Sequence, residues 1–490
     1  MEGPLSFNET FKGIQQLFQQ QHNKRLPVSL ETAIYLNYTN EARNSEKDVE
    51  KLISEITHFK KAKLVSVTTS AVPEGILSPG YNATLKDVRI KSRGSDDIIY
   101  TNNPKIRRLI PRGLTLININ GEDDTVIYAN KKFTGGVGDE DHSQPQNDKI
   151  WRQYCIKNPD TAEYIISTEK QNGEAAHFSG RYIDGKFYII TGSKNVHMLI
   201  KEKSEINLYD GQRYDIAKVV AETVCDVLDG LQPRVYQLIC SLLHHTKCTV
   251  VCEILQPNNQ HIVDLSYLEK TKLMVIALTS TFMDKNESSL TALPPHHALD
   301  MMSCLGFSCV PYKITAPSSM KKHKEMVRNQ LYKEGEVAYF INMDKETIGI
   351  VKIKTKWYIL QRALREQVVS AFDSKLRKKN WNLLNKIEKI KGRLNDLQDY
   401  VKLNDQELNH WKILYGEFFI WLNGEVGSSR IEVNTIRPKF PTIWKSFIKT
   451  NQQKLPLVPR LELRGIKPAI ILIIRRFENN TKSLVKSLSL

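Results

Sequence analysis

Thr168-Glu169-Lys170-Gln171-Asn172-Gly173-Glu174, in a chain of 490 residues, is the stretch on which the fold turns. A lysine follows the β-rich run at 164–167, and a glycine stands three positions after it. A nucleophilic lysine needs this arrangement: an amine at a tight turn, and a glycine that lets a nucleotide approach the backbone. Attack on phosphorus requires the neutral amine, so the expectation is a pKa lowered by burial or cationic neighbours. Alone, Lys-x-Asn-Gly is unspecific, because ordinary residue usage produces it often.

Four downstream features give it weight. Ser193-Lys194-Asn195 ends the next hairpin and can bring a cation to phosphate. Glu253 interrupts the apolar run 250–255, and a carboxylate there needs a partner. It is read either as half of a structural ion pair or as an acceptor for ribose hydroxyls. Glu334-Gly335-Glu336-Val337 places an acid and a glycine at the head of a strand, which as a lone tetrapeptide is an ordinary turn. In Val351-Lys352-Ile353-Lys354 the lysines alternate with apolar residues and emerge on one strand face. That face is either solvated or a two-lysine clamp that stabilises charge on a phosphate.

Taken in order, these elements resemble the motif set of the covalent nucleotidyltransferase superfamily, the ATP-dependent DNA and RNA ligases and the mRNA capping enzymes. Within it the chain is similar to the phage RNA ligase 1 type and to the adenylyltransferase domain of fungal tRNA ligases. The narrower likeness rests on Pro111-Arg112-Gly113-Leu114 and Asn130-Lys131-Lys132-Phe133 upstream, and on Asn at 172. It rests also on the run from Glu253 to His261-Ile262-Val263, and on Tyr358, Arg362 and Arg365-Glu366 after the Lys-x-Lys pair. Thr134 departs from the pattern, and 273–279 lacks the aromatic that many relatives stack on the base.

The resemblance covers about 107–367 and implies ATP-dependent joining of RNA 5′-phosphate and 3′-hydroxyl ends. Lys170 would carry AMP. Glu169 would contact adenine, Glu253 the ribose, and Lys352 and Lys354 the α-phosphate. Asn172, Gly173, Lys194, Arg112 and Lys132 complete the implied ATP and phosphate contacts, with Arg362 and Arg365 for RNA. Glu334 would hold the metal, magnesium or manganese. The alternatives are a sealing subunit acting on ends healed by other enzymes, and an inactive RNA-binding scaffold. GTP-dependent capping or DNA joining is disfavoured, because those enzymes follow Lys-x-Lys with a small barrel and this chain turns helical.

Outward from the motifs, the expected architecture is α+β. A ligase-type nucleotidyltransferase domain with antiparallel sheets spans 105–367, after an N-terminal extension (1–104) and before an all-helical C-terminal domain (368–490). The N-terminal region offers no nameable chemistry; Ser45-Glu46-Lys47-Asp48 reads as a helix start, 73–94 as a loop with a short strand. One long helix is expected at 215–245. Leu383, Ile387, Ile390, Leu394, Leu397 and Val401, then Leu408, Trp411, Tyr415, Phe418 and Leu422, read as a helical hairpin, with a coiled-coil dimer as the sharper alternative. Lys375, Arg377, Lys378, Lys379, Lys386, Lys389, Lys391 and Arg393 make its polar face basic, as an RNA-docking surface would be.

Composition agrees with this reading. Seventy Lys and Arg against 54 Asp and Glu give +16, which suits a polyanionic partner. With 41% hydrophobic residues the chain can bury a core, so a collagenous or wholly disordered class is excluded. Seven cysteines without paired spacing argue against structural zinc and for a reducing compartment, cytoplasm or nucleus. No apolar run suits a signal peptide or a membrane span, and a monomer is expected. Pro295-His296-His297 reads as a surface loop.

Overall fold

A computed structural model describes residues 3–23, 25–92, 96–139, 147–376 and 381–451. Mixed α and β structure is present as expected, with thirteen strands in three antiparallel sheets and a helical C-terminal region. The first sheet runs in chain order: β1 (Val65–Ala71), β2 (Ala83–Ile90), β3 (Leu114–Ile119) and β4 (Glu122–Tyr128). Asn120 and Gly121, with φ of 51° and 98°, make the tight β3–β4 turn.

The remaining strands are β5 (Tyr164–Lys170), β6 (Glu174–Ile183), β7 (Lys186–Ser193), β8 (His197–Ile200), β9 (Thr249–Leu255), β10 (Lys272–Thr279), β11 (Tyr312–Thr315), β12 (Gly335–Ile341) and β13 (Thr347–Lys354). They split into two sheets, ordered β10-β9-β6-β7-β8 and β11-β5-β12-β13. The Lys170 motif leaves the second of these at the end of β5 and enters the first at β6. Every residue of its turn therefore lies where the two sheets meet. β5 pairs with β12 so that Lys170 faces Gly335 and Glu169 faces Glu336. β9 pairs with β6, setting Glu253 opposite Ala175.

Several expectations need correction. The boundary at 104 falls inside the first sheet, because β2 pairs with β3 (Val88 with Leu114, Leu85 with Ile117). The boundary at 367 falls inside the helix Lys356–Leu376. Ser45–Asp48 lies in the interior of the helix Val28–Lys61 and does not start it. The helix expected at 215–245 is two, Asp215–Asp229 and Pro233–Thr246, since Pro233 lacks the N–H to continue the first and opens the second instead. Pro295-His296-His297 opens the helix Pro295–Cys304, with His296 buried rather than in a surface loop.

At the C-terminal end, the helices Leu383–Val401 and Asp405–Gly427 form the hairpin. Asn404 caps the second helix and Glu407 returns the bond to the Asn404 N–H, both at 2.9 Å. Ile387, Ile390, Leu394, Leu397 and Val401 share one core with Leu408, Tyr415, Phe418 and Leu422, and with Trp444 and Phe447 of the helix Phe440–Asn451. Burying such side chains contributes roughly 1.5–3 kcal/mol each. The stripe that would serve a coiled-coil dimer is already covered from within the chain. Arg377, Lys378, Lys379 and the tail 452–490 lie outside the described residues.

Candidate active site

A cleft of about 1100 Å³ opens between the second and third sheets and is closed at one side by the first sheet. Lys170, Glu169, Gly173, Lys194, Glu253, Glu334, Lys352, Lys354, Arg112, Lys132 and Arg362 all line it. Two of the expected site residues do not. Asn172 is buried behind the turn, and Arg365 is buried with its guanidinium on Glu366, which also takes Arg437 at 2.8 Å.

Lys170 ends β5, and its amine lies 2.8 Å from an oxygen of Glu334, just ahead of β12. Burial alone would depress the amine's pKa, but Glu334 and then Glu253 outweigh it and the net direction is upward. The expected depression is therefore absent here, and Lys170 is held as the ammonium. Glu334 moves down from the carboxylate value: burial opposes the charge, while Lys170 and Lys354 favour it more strongly. Glu253 moves up because burial dominates there, although it accepts the Gly173 N–H at 2.9 Å.

Gly173 and Asn172 have reasons that the sequence did not reveal. A Cβ on Gly173 would stand 2.0 Å from the Ile254 carbonyl oxygen, so the backbone approaching it closely is that of β9. Asn172 donates to Glu334 at 2.7 Å, and to the Tyr358 hydroxyl at 3.3 Å. Its carbonyl oxygen accepts the backbone N–H groups of Ile262 (2.8 Å) and Val263 (2.9 Å). This pattern fixes the amide's orientation and requires Asn, because an Asp would set a second anion against Glu334.

Lys352 and Lys354 emerge from β13 on one face, as alternation requires. The Thr134 carbonyl accepts the Lys352 N–H at 3.3 Å, which moors the Asn130–Phe133 element beside this strand. Buried Asp139 accepts the Lys354 N–H at 2.7 Å and pairs with Arg328 at 3.1 Å. The ammonium of Lys354 lies 5.5 Å from the centre of the Tyr358 ring.

Across the cleft, three expected phosphate-binding cations converge on one carboxylate. Asp96 sits 3.0 Å from Lys132, 3.1 Å from Lys194 and 3.4 Å from Arg112, and Asp97 adds a contact of 2.6 Å to Lys132. Burial opposes the Asp96 charge, but Arg112, Lys132 and Lys194 hold its pKa far below the usual range. No local pattern singles out Asp96, whose partners lie 16 to 98 positions away. Ser66, Arg89 and Ile90 of the first sheet, and Lys91 just beyond it, also line the cleft, so the N-terminal region does contribute to it. Another missed residue is Ile276, half-buried at a bulge between Val275 and Ala277 of an otherwise buried stretch.

A divalent cation fits this donor set only in part. Among the described residues no three His, Cys, Asp or Glu side chains stand together as a protein-only cage. One or two carboxylates beside a triphosphate are what magnesium takes, and Glu334 and Glu253 supply them. All seven cysteines are free, and no described helix is long and apolar enough to cross a membrane.

Residues 84–365 match the family described as Domain of unknown function (DUF7920). No curated protein matches the chain. A solved structure that does match is an RNA ligase of Naegleria gruberi, a mutant with ATP and Mn, at 9% identity and a TM-score of 0.29. The match covers 61% of this chain and 98% of that one, and so loose an overlap assigns no residue of the site.

Proposed function

The chain belongs to the DUF7920 family, and for it we propose ATP-dependent joining of RNA ends through a lysyl-AMP intermediate. One observation carries the reading: Lys170, 2.8 Å from Glu334, shares one cleft with Glu253, Lys352 and Lys354, drawn from strands of two sheets. That is the ordered motif set assembled around one amine. In the first step the Lys170 amine, having shed a proton, attacks the α-phosphorus of ATP. A P–N bond forms as the bond to pyrophosphate breaks, and the nitrogen gives up its second proton to solvent. In the second, a 5′-phosphate oxygen of RNA attacks the same phosphorus; the P–N bond breaks and the lysine takes back a proton. In the third, a 3′-hydroxyl attacks the RNA phosphorus, releasing AMP and a proton.

Lys352 and Lys354 would offset charge at the α-phosphate, and Glu253 would accept from ribose hydroxyls. Ile276 offers an apolar face to the base where relatives use an aromatic, and Glu169, paired with Lys333 at 2.5 Å, lines the cleft as an acceptor for adenine. Arg112, Lys132 and Lys194 would take the outer phosphates, and Arg362 an RNA phosphate. Glu334 would hold a magnesium or manganese ion, which neutralises phosphate charge when bound. The decisive test uses α-labelled ATP and α-labelled GTP with Lys170→Ala as control. Label that survives denaturation, from ATP only and absent in the variant, supports the reading. Absence of covalent label from either nucleotide sinks it, and label from GTP alone replaces joining with capping-type chemistry.

A further inference from the structure

The loop of residues 256–271 between β9 and β10 touches the lysine motif on one side and the C-terminal helices on the other. On the inner side, the Ile262 and Val263 N–H groups both bond the Asn172 carbonyl oxygen, and Asn172 in turn bonds Glu334. On the outer side, the Gln260 N–H donates to the Pro438 carbonyl at 2.8 Å, and its side chain reaches the Thr442 hydroxyl at 3.3 Å. Asp264 pairs with Lys445 at 2.7 Å, and Ile262 is buried in the same core as Phe440 and Trp444. Gln260 also closes the loop on itself, accepting the Leu265 N–H (2.8 Å) and donating to the Pro257 carbonyl (2.7 Å). The result is one unbroken line of contacts: helix Phe440–Asn451, the loop, Asn172, Glu334, Lys170.

From this geometry we infer that the loop is a strut through which the C-terminal helical region positions the nucleophile, with Gln260 and Asn172 as its positioning residues. The helices would then govern formation of lysyl-AMP as well as the docking of RNA. The inference rests on the nucleotidyl-transfer reading above. Mechanically, Asn172 fixes the Glu334 carboxylate, and Glu334 fixes where the Lys170 amine stands. A displaced amine loses the near-attack geometry on which the rate depends. The binding of ATP, which uses the cleft walls, is left alone.

The test measures Lys170 labelling from α-labelled ATP in the full chain, for Gln260→Ala and Lys445→Glu, each alone and in an Asn172→Ala background. Lys445 is 67% exposed on its side chain, so its reversal leaves the helical core intact while setting a second anion against Asp264. We expect Gln260→Ala to slow labelling at saturating ATP about tenfold, with KM for ATP nearly unchanged. Lys445→Glu should slow it about threefold. In the Asn172→Ala background neither should slow it further, because both act through that residue. Equal effects in the two backgrounds, or none in either, overturn the strut. A second readout separates this failure from that of the reading it rests on. Amide exchange at Ile262 and Val263 should quicken in both variants even if the wild-type chain takes no label, and unchanged exchange there also overturns the strut.

Discussion

Lys170 and Glu334 keep one another charged although burial opposes both, and that mutual hold determines how the site must answer pH. Attack needs the neutral amine, so the labelling rate should climb as pH rises through the neutral and alkaline range. Glu334→Gln removes the leading cause of the raised amine pKa and leaves burial in charge. The midpoint of the pH–rate profile should therefore move down, with a lower plateau. A midpoint that stays put would mean that Glu334 does not set the amine's charge. The stability linkage has the opposite sign for the acid: with its folded pKa depressed, Glu334 stabilises the fold above the ordinary carboxylate range and loses that contribution as pH falls through the folded value. Asp96 gives a second prediction. An incoming phosphate must compete with its carboxylate for Arg112, Lys132 and Lys194, so Asp96→Asn should lower KM for ATP about three- to tenfold, read from pyrophosphate release. A KM that rises would assign Asp96 to substrate binding. Lys170, Glu253, Glu334, Lys352 and Lys354 were legible because each stands inside a local strand pattern. Asp96 and the double role of Asn172 were not, since their partners are side chains and N–H groups far along the chain.

Strands and turns carry the next level of control. Gly335 faces Lys170 across β5–β12 with φ of 148°, and a Cβ there would lie 1.9 Å from the Ile353 carbonyl oxygen on β13. Neither the conformation nor a paired backbone can yield cheaply. Gly335→Ala should cost about 1–3 kcal/mol in chemical denaturation and should abolish labelling, by shifting Glu334 against Lys170. Full stability in that variant would remove the close approach as an explanation. Strand reading worked where alternation or an apolar run was plain, as in β9 and β13. β6 is implied only by the hairpin that ends at Ser193-Lys194-Asn195: its Glu-Ala-Ala-His-Phe-Ser-Gly-Arg-Tyr-Ile has few β-branched residues and is buried on both faces over much of its length, so no alternation shows. The first sheet was half-missed for a related reason: β1 is mostly half-buried, without a clear apolar alternation, and takes its partner from the far side of a polar loop.

Part of the +16 charge lies in the cleft, lined by ten Lys and Arg against six Asp and Glu, and the sequence from 368 to 490 holds 23 Lys and Arg against 11 Asp and Glu. Lys389 is exposed on the helix Leu383–Val401, and Lys386, half-buried, reaches Ser374. If this face docks RNA, binding should weaken with salt. Reversing both lysines to Glu should flatten the slope of log K against log salt by about 1.4, at roughly 0.7 per single-strand phosphate contact. An unchanged slope would place RNA elsewhere. The chain topology has one more consequence, for synthesis. β5 carries the proposed nucleophile, yet its sheet neighbours β11 and β12 are encoded only after residue 311. At about 5–20 residues per second, roughly 10–35 s pass between the emergence of β5 and the completion of β12. Until β11 emerges Tyr-Ile-Ile-Ser-Thr-Glu-Lys has both edges unpaired, the β12 edge stays open to the end of that interval, and a neighbouring nascent strand can claim either. The strand that carries the proposed nucleophile is thus also a segment that a chaperone would need to cover while the chain is being made.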